Sequence, residues 1–354
     1  MRIVQFVQQH GRRAVGVVDG DDVINLTETY PQYETTLALA LDAIERTMQL
    51  NDMLLQLLPE CETRISYEAL WNGEPGSDLH LLPPLDHHEA SCTHITGTGL
   101  THTGSMQSRD QMHAQQDSDH TVESEADEPQ LQTDSAKMFQ LGLEGGKPQN
   151  GQRGTAPEWF YKGNGVCLRG HRDLLDIPSF ALDGGEEPEF VGCYVIARDG
   201  TPYRVGFALG NEWSDHATEK INYLYLAPSK IRTCSVGPEL VVGESFDDLD
   251  VRVMVTREAK IIYDSGDLKS GQQFMCHSLE NCEDHHFKYP LHRQPGDVHL
   301  HYFGTSKLSY GQRDWKFQAE DVIEVFAEGF SRSLINRVQQ SCPEAAEPVK
   351  VKSL

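Results

Sequence analysis

Hydrophobic and polar residues in the first 85 positions follow both strand and helix periodicities. The runs IVQFV (3–7) and AVGVV (14–18) predict two strands separated by a turn at Gly11, and Gly20-Asp21-Asp22 predicts a further turn. From Leu37 to Leu58 apolar residues recur at helical spacing, and Asn51 interrupts the apolar stripe. This pattern predicts a small α/β unit whose helix can break at Asn51.

The stretch LLPPLDHH (81–88) predicts a linker, because paired prolines end regular structure. After Phe160 short apolar runs separated by Gly and Pro predict a β-rich region. The segment from Gln115 to Gln132 is rich in Gln, Asp, Glu and Ser, which is typical of a solvated helix or a surface insertion. We therefore expect a small N-terminal α/β domain (1–88), a larger domain (89–345) and a tail (346–354).

A hairpin centred on Asp199-Gly200 gives the clearest prediction of local structure. A two-residue turn between strands at Glu189–Ala197 and Tyr203–Asn211 sets a register that places Glu187 opposite Glu212. Period-two alternation then puts Glu187, Glu189 and Glu212 on one face at the open end of the hairpin. The other face carries large apolar residues, which we expect in the core: Phe190, Tyr194, Ile196, Tyr203, Val205, Phe207 and Leu209.

Three carboxylates on one face repel one another, and a divalent cation removes that repulsion. Oxygen ligands suit Mg²⁺, Mn²⁺ or Ca²⁺ better than Zn²⁺. The alternative is that the three glutamates are solvated at a strand end, and spacing alone leaves both interpretations open. Pro188 cannot donate to the strand ladder, so the register can shift there.

Composition and charge limit the partners. The 354-residue chain carries 54 acidic and 30 basic residues, for a net charge of -24, which disfavours nucleic acid and anionic membranes. No apolar run is long enough to span a bilayer, and the first residues lack the apolar core of a signal peptide. Eight scattered cysteines without a C-x-x-C pair are typical of reduced thiols, so we expect a cytoplasmic protein that binds a small molecule.

An ordered set of short motifs resembles the fumarylacetoacetate hydrolase superfamily over roughly residues 95–340. The motifs are Glu187-Pro188-Glu189, NEWSD (211–215), PEWFYKGNG (157–165), Ser229-Lys230 followed by VGP (236–238), PGDV (295–298) and FGT (303–305). Glu212 stands where the family usually has Asp. The resemblance implies an α+β fold with a mixed β-roll catalytic domain, a homodimer, and Mg²⁺ (Mn²⁺ or Ca²⁺ as alternatives) bound by Glu187, Glu189 and Glu212.

One branch of that superfamily is more similar than the others. The segments TGTGLTHTGS, GGEEPEF, NEWSDHATE and HHFKY resemble enzymes of sugar-acid catabolism that include 2-keto-3-deoxy-pentonate dehydratases. The resemblance implies an Mg²⁺-dependent hydro-lyase that gives 2,5-dioxopentanoate through an enolate. Two alternatives stay open: a C–C bond hydrolase of acylpyruvate or fumarylpyruvate-type diketo acids, and a non-catalytic sugar-acid-binding protein.

Candidate acids, bases and substrate ligands come from several segments. Ser105 as a helix N-cap would place Arg109 and His113 on one helix face. The resemblance makes His113 a candidate base and puts His102 near a further family ligand; a surface role for His113 is the alternative. Glu219 follows Glu212 by about two helical turns. The resemblance implies that Lys230 holds a substrate oxygen, and we expect Arg109, Lys162 and Thr305 to bind substrate as well.

Two further groups of residues invite a metal or pocket interpretation. Cys276, His277, Cys282, His285 and His286 lack the spacing of a structural zinc site, so buried thiols and hydrogen-bonded histidines are the favoured interpretation. His299 and His301 alternate with apolar residues and should face the same side of a strand. They would line the pocket or form a polar outer face.

Overall fold

The computed structural model describes residues 1–107, 133–149, 151–341 and 348–354. Within these residues the chain is a mixture of strands and short helices. The strands are β1 Arg2–Gln8, β2 Arg12–Asp19, β3 Asp22–Asn25, β4 Arg64–Ser66, β5 His80–Leu82, β6 Thr93–Gly99, β7 Glu158–Asn164, β8 Leu168–Arg169, β9 Leu174–Ile177, β10 Pro188–Ile196, β11 Pro202–Asn211, β12 Cys234–Val241, β13 Leu249–Arg257, β14 Lys260–Asp264, β15 Leu268–Ser270, β16 Val298–Tyr302, β17 Val322–Ala327 and β18 Leu334–Gln340.

The helices are short and lie between the strands. They are α1 Leu26–Thr29, α2 Thr36–Glu45, α3 Leu50–Leu57, α4 Tyr67–Asn72, α5 at 103–107, α6 Asp134–Gly145, α7 His216–Ile221, α8 Leu226–Lys230 and α9 Leu279–Phe287. Several begin at a side-chain cap, as when Thr35 accepts from the Ala38 amide at the start of α2. No helix in the described ranges is long and apolar enough to cross a bilayer.

The described strands form one large sheet and one smaller sheet. In the large sheet the order is β4-β3-β2-β1-β12-β11-β10-β16-β6-β7, with β5 paired to β1 and β8 paired to β12. In the smaller sheet the order is β14-β13-β17-β18-β9, with β15 paired to β13. Strand β1 pairs antiparallel with β12, so one sheet continues from the N-terminal strands into the rest of the chain. The division near residue 88 therefore stays a prediction.

Local predictions for the N-terminal unit are confirmed in most details. The first two predicted strands are β1 and β2, and a Gly20-Asp21 turn joins β2 to β3. The predicted helix from Leu37 to Leu58 is two helices, but the predicted break point at Asn51 is wrong. The break falls at residues 46–49, where Thr47 has a φ of 57°, a left-handed conformation that ends α2. Asn51 lies inside α3.

The β10–β11 hairpin differs from the predicted one at its turn and agrees with it at its open end. The turn has three residues, 198–200, because the Ala197 amide donates to the Thr201 carbonyl, and Gly200 has a φ of 82°. A bulge at Cys193/Tyr194 then shifts the register by one residue. The three-residue turn and the bulge each shift the pairing by one residue, in opposite directions. Beyond the bulge Pro188 therefore faces Asn211, as predicted, and the predicted pairing holds at the glutamates.

The bulge also changes which face carries Val205. Both faces of β10 are buried, because the strand is central in the large sheet. On one face Phe190, Phe207 and Leu209 pack against the smaller sheet, in a core shared with Val253 and Val325. The opposite face packs in a second core, which holds Val191, Cys193 and Ala208 together with Val205 and the helices α2 and α3. Val205 was predicted on the Phe190 face, and the bulge moves it to the other one.

Candidate active site

Three glutamate side chains meet at the open end of the β10–β11 hairpin. Glu187 and Glu189 flank Pro188 at the start of β10, and Glu212 directly follows β11. The Glu212 amide donates to the Glu187 carbonyl at 2.9 Å, which fixes the two residues opposite each other. One carboxylate oxygen from each of the three lies within 4.8 Å of the others, and all three residues are buried. The predicted carboxylate cluster therefore exists in the folded chain.

Lys230, at the end of α8, lies between two of these carboxylates. Its ammonium donates to Glu187 Oε1 at 2.5 Å, to Glu212 Oε2 at 2.6 Å and to Ser214 Oγ at 3.1 Å. The ammonium also lies 4.9 Å from the centre of the Phe160 ring. Burial alone would lower the pKa of Lys230, but the two carboxylates raise it above its ordinary value. Lys230 is therefore a permanent positive charge in the site.

Lys162, on β7, forms an ion pair with the carboxylate oxygen of Glu212 that Lys230 does not contact. Its ammonium lies 2.6 Å from Glu212 Oε1 and donates to the main-chain carbonyls of Trp213 and Lys230 at 2.6 and 2.9 Å. These contacts occupy the three protons of the ammonium. Lys162 thus holds Glu212 and the main chain around it, and its predicted role as a substrate ligand stays a prediction.

The three carboxylates are not electrostatically equal. Burial would raise the pKa of Glu187, but Lys230 and His216 outweigh burial and hold that pKa well below its usual range. Burial and the neighbouring carboxylates of Glu212 and Glu187 raise the pKa of Glu189 well above its usual range. Glu189 accepts a hydrogen bond from the Gly304 amide at 2.7 Å but contacts neither lysine ammonium among the described contacts. Glu189 is the carboxylate whose charge the protein compensates least.

Helix α7 brings two further ionisable side chains to the cluster. Asp215 caps the helix by accepting from the Thr218 amide at 3.0 Å, and Arg232 pairs with Asp215 at 3.2 Å. The first helical residue, His216, places Nε2 2.9 Å from Glu187 Oε1. Glu219, in the same turn, is buried. The spacing of two helical turns from Glu212 that predicted the position of Glu219 is wrong, because α7 begins only at His216, and the role of Glu219 stays a prediction.

A cavity opens onto the cluster. Glu187, Glu189, His216, Glu219 and Lys230 line its charged side. The remaining wall is formed by Gly99, Leu100, Ser105, Phe160, Gly304, Thr305 and Leu308. The loop after β16 supplies Gly304 and Thr305, and the Thr305 hydroxyl donates to the Lys307 carbonyl at 3.0 Å.

The segment after β6 differs in part from its prediction. Helix α5 begins at 103, so Ser105 is not its N-cap; the Ser105 hydroxyl donates to the His102 carbonyl at 2.8 Å. His102 is buried, its Nδ1 contacts Thr101 Oγ1 at 2.8 Å, and burial lowers its pKa to about 4. His102 is not among the described residues that line the cavity. Arg109 and His113 lie outside the described residues.

His216 is the functional candidate that residue-by-residue reasoning missed. It belongs to the segment NEWSDHATE, and Asp215 followed by a helical pattern is a recognisable N-cap signal. That signal would have placed His216 at the helix start, one turn from Glu219. No periodicity in the sequence shows that this helix folds back over Glu187, because that contact depends on the loop geometry between β11 and β12.

The donor set fits a hard divalent cation. Glu187, Glu189 and Glu212 offer only oxygen atoms, which Mg²⁺ prefers, and they are shielded from water. Two ammonium groups cannot neutralise three buried carboxylates, and the least compensated one, Glu189, lies on the cavity wall. A cation at this point would supply the missing charge.

The cysteine and histidine residues of 276–286 engage other partners. Cys276 and Cys282 are buried and free, His277 Nδ1 contacts the Asn281 amide nitrogen at 3.2 Å, and His285 Nε2 contacts the Gly154 carbonyl at 3.0 Å. His299 and His301 are buried on one face of β16, so a polar outer face is ruled out. Neither histidine is among the described residues that line the cavity.

Sequence comparison identifies one informative relative. No protein-family model matches the chain. A protein from Haloferax volcanii described as "Probable 2-keto-3-deoxyxylonate dehydratase" is 27% identical over 187 residues, which are 49% of this chain and 57% of the relative. The matched segment thus spans little more than half of the curated relative.

Comparison with solved structures covers nearly the whole chain. A structure of 2-keto-3-deoxy-D-arabinonate dehydratase complexed with magnesium and 2,5-dioxopentanoate superposes with a TM-score of 0.68 at 18% identity, covering 96% of this chain and 99% of that one. Fumarylacetoacetate hydrolase from Exiguobacterium antarcticum gives a TM-score of 0.57 at 17% identity, covering 96% and 100%. The chain therefore has the mixed α+β fold of fumarylacetoacetate-hydrolase-type proteins, which confirms the predicted fold class. Among those proteins it is similar in fold to the sugar-acid dehydratases.

Proposed function

We propose that this protein is an Mg²⁺-dependent dehydratase of a 2-keto-3-deoxy pentonate, with 2,5-dioxopentanoate as product. The observation that carries the proposal is the cavity lined by Glu187, Glu189 and Lys230, with Glu212 completing the carboxylate cluster beside it. The fold neighbour that holds magnesium and 2,5-dioxopentanoate, and the description of the Haloferax relative, support the choice of substrate class.

The local charge supports an anionic substrate only when a cation is bound. The three carboxylates and the ammonium groups of Lys162 and Lys230 sum to one net negative charge, and Glu219 adds another if ionised. In a chain of net charge -24 such a cavity repels a carboxylate. A divalent cation held by Glu187, Glu189 and Glu212 would make this sum positive when Glu219 is neutral and zero when Glu219 is ionised. In either case the net negative charge that repels a 2-keto acid is removed.

When bound, the cation would act as a Lewis acid toward the keto acid and raise the acidity of its C3 protons. The protein contributes orientation. Lys230 keeps Glu187 and Glu212 in a fixed geometry, and the Gly304 amide holds Glu189 from the opposite side. Thr305, on the same loop as Gly304, lines the cavity, and its role as a ligand of the substrate carboxylate stays part of the proposal.

Dehydration needs a base for the C3 proton and an acid for the departing C4 hydroxyl. Of the described residues, Glu219 suits the base role, because it lies on the cavity wall and can both accept and return a proton. His216 Nε2 contacts Glu187 Oε1 and orients that carboxylate. His113, the first candidate from the sequence, stays a prediction because it lies outside the described residues.

The experiment that tests the proposal is a substrate panel with product analysis. The protein with Mg²⁺ is incubated with 2-keto-3-deoxy pentonates of both C4 configurations and with acylpyruvates, and products are identified by mass. Loss of one water with formation of an aldehyde, detected by a coupled dehydrogenase, is the expected result. Gain of water with cleavage to pyruvate and a carboxylic acid would replace the dehydratase by a C–C hydrolase. Binding without turnover of any compound would favour a sugar-acid-binding protein.

A solvent isotope experiment tests the proton-abstraction step independently of the identity of the product. Because a C3 proton leaves and carbon is later reprotonated, product formed in D₂O should carry deuterium on carbon. The control is the same product incubated with the protein in D₂O, which corrects for exchange after the reaction. An aldehyde product without carbon-bound deuterium would contradict the proton-abstraction step.

A further inference from the structure

The end of β16 remote from Gly304 carries a second group of possible metal ligands. His94 on β6 and His299 on β16 are register partners in a parallel strand pair, so their side chains lie on the same face of the sheet. The two rings stack with centroids 4.8 Å apart and an interplanar angle of 23°. Asp297, just before β16, places Oδ2 3.0 Å from His94 Nε2. One donor atom of each residue lies within 4.8 Å of the others.

One atom of this group lacks a partner among the described residues. His299 is fully buried, its Nδ1 contacts His286 Nε2 at 2.9 Å, and its Nε2 has no hydrogen-bond partner within the described part of the chain. A buried polar nitrogen left unsatisfied is unfavourable. His94 and Asp297 are partly accessible, with side-chain exposures of 24% and 11%, so an ion can reach the group from solvent.

We propose that His94, Asp297 and His299 form a second metal site, which takes a first-row transition-metal ion such as Zn²⁺. Two imidazole nitrogens and one carboxylate oxygen are the ligand types of such ions, whereas Mg²⁺ prefers oxygen alone. Gly304, which contacts Glu189, lies five positions after His299 along the extended chain. At about 3.3 Å per residue, the site is roughly 15 Å from the carboxylate cluster. The ion would link β6 to the turn that precedes β16. The proposal of this second site does not depend on the proposed reaction.

The hydrogen bonds around His299 give the site a measurable property. Trp159 Nε1 donates to His286 Nδ1 at 3.3 Å, so His286 carries its proton on Nε2 and donates to His299 Nδ1. That arrangement leaves a proton on His299 Nε2. Metal binding needs the lone pair of Nε2, so the proton must move to His299 Nδ1, and His286 must then accept instead of donate. The Trp159 hydrogen bond opposes this change, and its loss should strengthen metal binding.

The test uses Co²⁺ as the probe, with the full-length protein freed of metal and then saturated with Mg²⁺ to fill the carboxylate cluster. We expect one equivalent of Co²⁺ to bind, with the visible absorption of a site of low coordination number. His299→Gln and His94→Gln should each abolish that absorption. The matched control is His88→Gln, which should leave that absorption unchanged because His88 is 76% exposed.

Two further variants keep the proposal testable if a buried histidine variant does not fold. Asp297→Asn preserves the shape of the side chain and should raise the Co²⁺ Kd by about 10-fold or more. Trp159→Phe should lower that Kd by about two- to tenfold, the value of one neutral hydrogen bond. The proposal is overturned if Mg²⁺-saturated protein binds no Co²⁺, or if binding is equal in wild type, Asp297→Asn and His94→Gln.

Discussion

The ammonium of Lys230 and a bound cation compensate the same carboxylates. Lys230 contacts Glu187 and Glu212, whereas Glu189 accepts from the Gly304 amide and contacts no ammonium group within the described part of the chain. A charge buried without a partner is strongly destabilising, and removing one member of a buried pair exposes that cost. Stability and metal binding should therefore be linked at this residue.

Lys230→Met should destabilise the metal-free protein by about 3–5 kcal/mol, because two buried carboxylates lose their counter-charge. With saturating Mg²⁺ the loss should be smaller, since the cation compensates the same groups. The kcat/KM should fall about tenfold or more, because Glu187 and Glu212 lose the charge-assisted hydrogen bonds that fix their geometry. Urea unfolding with EDTA and with Mg²⁺ measures the difference. Lys260→Met, at an exposed position on β14, is the control, and an equal loss with and without Mg²⁺ would contradict the linkage.

Glu189→Gln should weaken Mg²⁺ binding while leaving the metal-free protein at least as stable as wild type. The amide keeps an oxygen for the Gly304 hydrogen bond and removes the carboxylate with the least compensated charge. Isothermal titration with Mg²⁺ measures affinity, and thermal unfolding in EDTA measures stability. Glu283→Gln is the matched control, because Tyr194 and Arg204 both bind one oxygen of Glu283 far from the cluster. Unchanged Mg²⁺ affinity in Glu189→Gln would remove that residue from the ligand set.

At this scale the sequence predicted the carboxylate cluster better than the residues that surround it. Alternation along a strand is local, so Glu187, Glu189 and Glu212 could be placed on one face before the fold was known. His216 was missed, because its contact with Glu187 joins residues 29 positions apart across a loop. Lys162 was placed in the site by resemblance alone. Its contacts with main-chain carbonyls depend on how β7 meets α8, which no pattern in either segment reveals.

At the scale of elements, α7 determines how two side chains enter the cavity. The Asp215 cap fixes the first turn, and that turn carries both His216 and Glu219. The helix has only six residues, so tertiary contacts rather than propensity must hold it. Arg232, which pairs with Asp215 and donates to the Ser214 carbonyl, supplies such contacts.

Glu219→Gln should reduce kcat by about 10²–10⁴, the usual loss when a general acid–base group is removed, with little change in Mg²⁺ affinity. The amide fills the same space but cannot accept a proton. Pre-steady-state and steady-state rates on the substrate identified by the panel provide the measurement. His102→Gln is the comparison, because His102 is buried away from the described cavity lining. If His102→Gln loses activity and Glu219→Gln does not, the base is not on α7.

Strands whose geometry follows from local periodicity were predicted. Turns and bulges whose geometry depends on tertiary contacts were not. The strands β1, β2, β10 and β11 have the alternation or apolar content that their burial demands. The three-residue turn at 198–200 and the bulge at Cys193/Tyr194 were missed, because a one-residue bulge leaves the hydrophobic pattern almost unchanged. The left-handed Thr47 likewise carries no sequence signal of the kind that Gly or Asn gives.

At the scale of the whole molecule, the described chain is two sheets, and the β10–β11 hairpin packs on both of the larger cores. Strands β10 and β11 contribute one face to each of the two larger cores, so the carboxylates at their end rest on a rigid base. Sequence periodicity predicted strands but not their order. The order across β12, β11, β10 and β16 became predictable only through resemblance to a known fold. The homodimer and the cytoplasmic location stay predictions, and light scattering would test the first.

A buried histidine joins the N-terminal unit to the smaller sheet and should make stability depend on pH. His171 Nε2 donates to the Trp71 carbonyl at 2.9 Å, and the Ile335 amide of β18 donates to His171 Nδ1 at 3.2 Å. The Ile335 contact requires the neutral ring, because a protonated Nδ1 cannot accept a hydrogen bond, and burial lowers the pKa of His171 to about 4 although the hydrogen bond to Trp71 opposes that shift. The unfolded chain, with a His pKa of about 6.5, binds this proton first as the pH falls.

Stability from His171 is therefore complete above about pH 6.5 and is lost as the pH falls toward 4. Between pH 8 and pH 5 the loss from this one residue should be about 2 kcal/mol, from the ratio of the two titration curves. In His171→Gln the free energy of unfolding at pH 8 should be lower than in wild type, but its decrease between pH 8 and pH 5 should be smaller by that amount.

Urea unfolding at the two pH values measures both quantities, and the difference between the proteins removes the contribution of the other buried histidines. His88→Gln, at an exposed position, should keep the wild-type dependence. An unchanged dependence in His171→Gln would show that protonation of this ring does not contribute to acid unfolding.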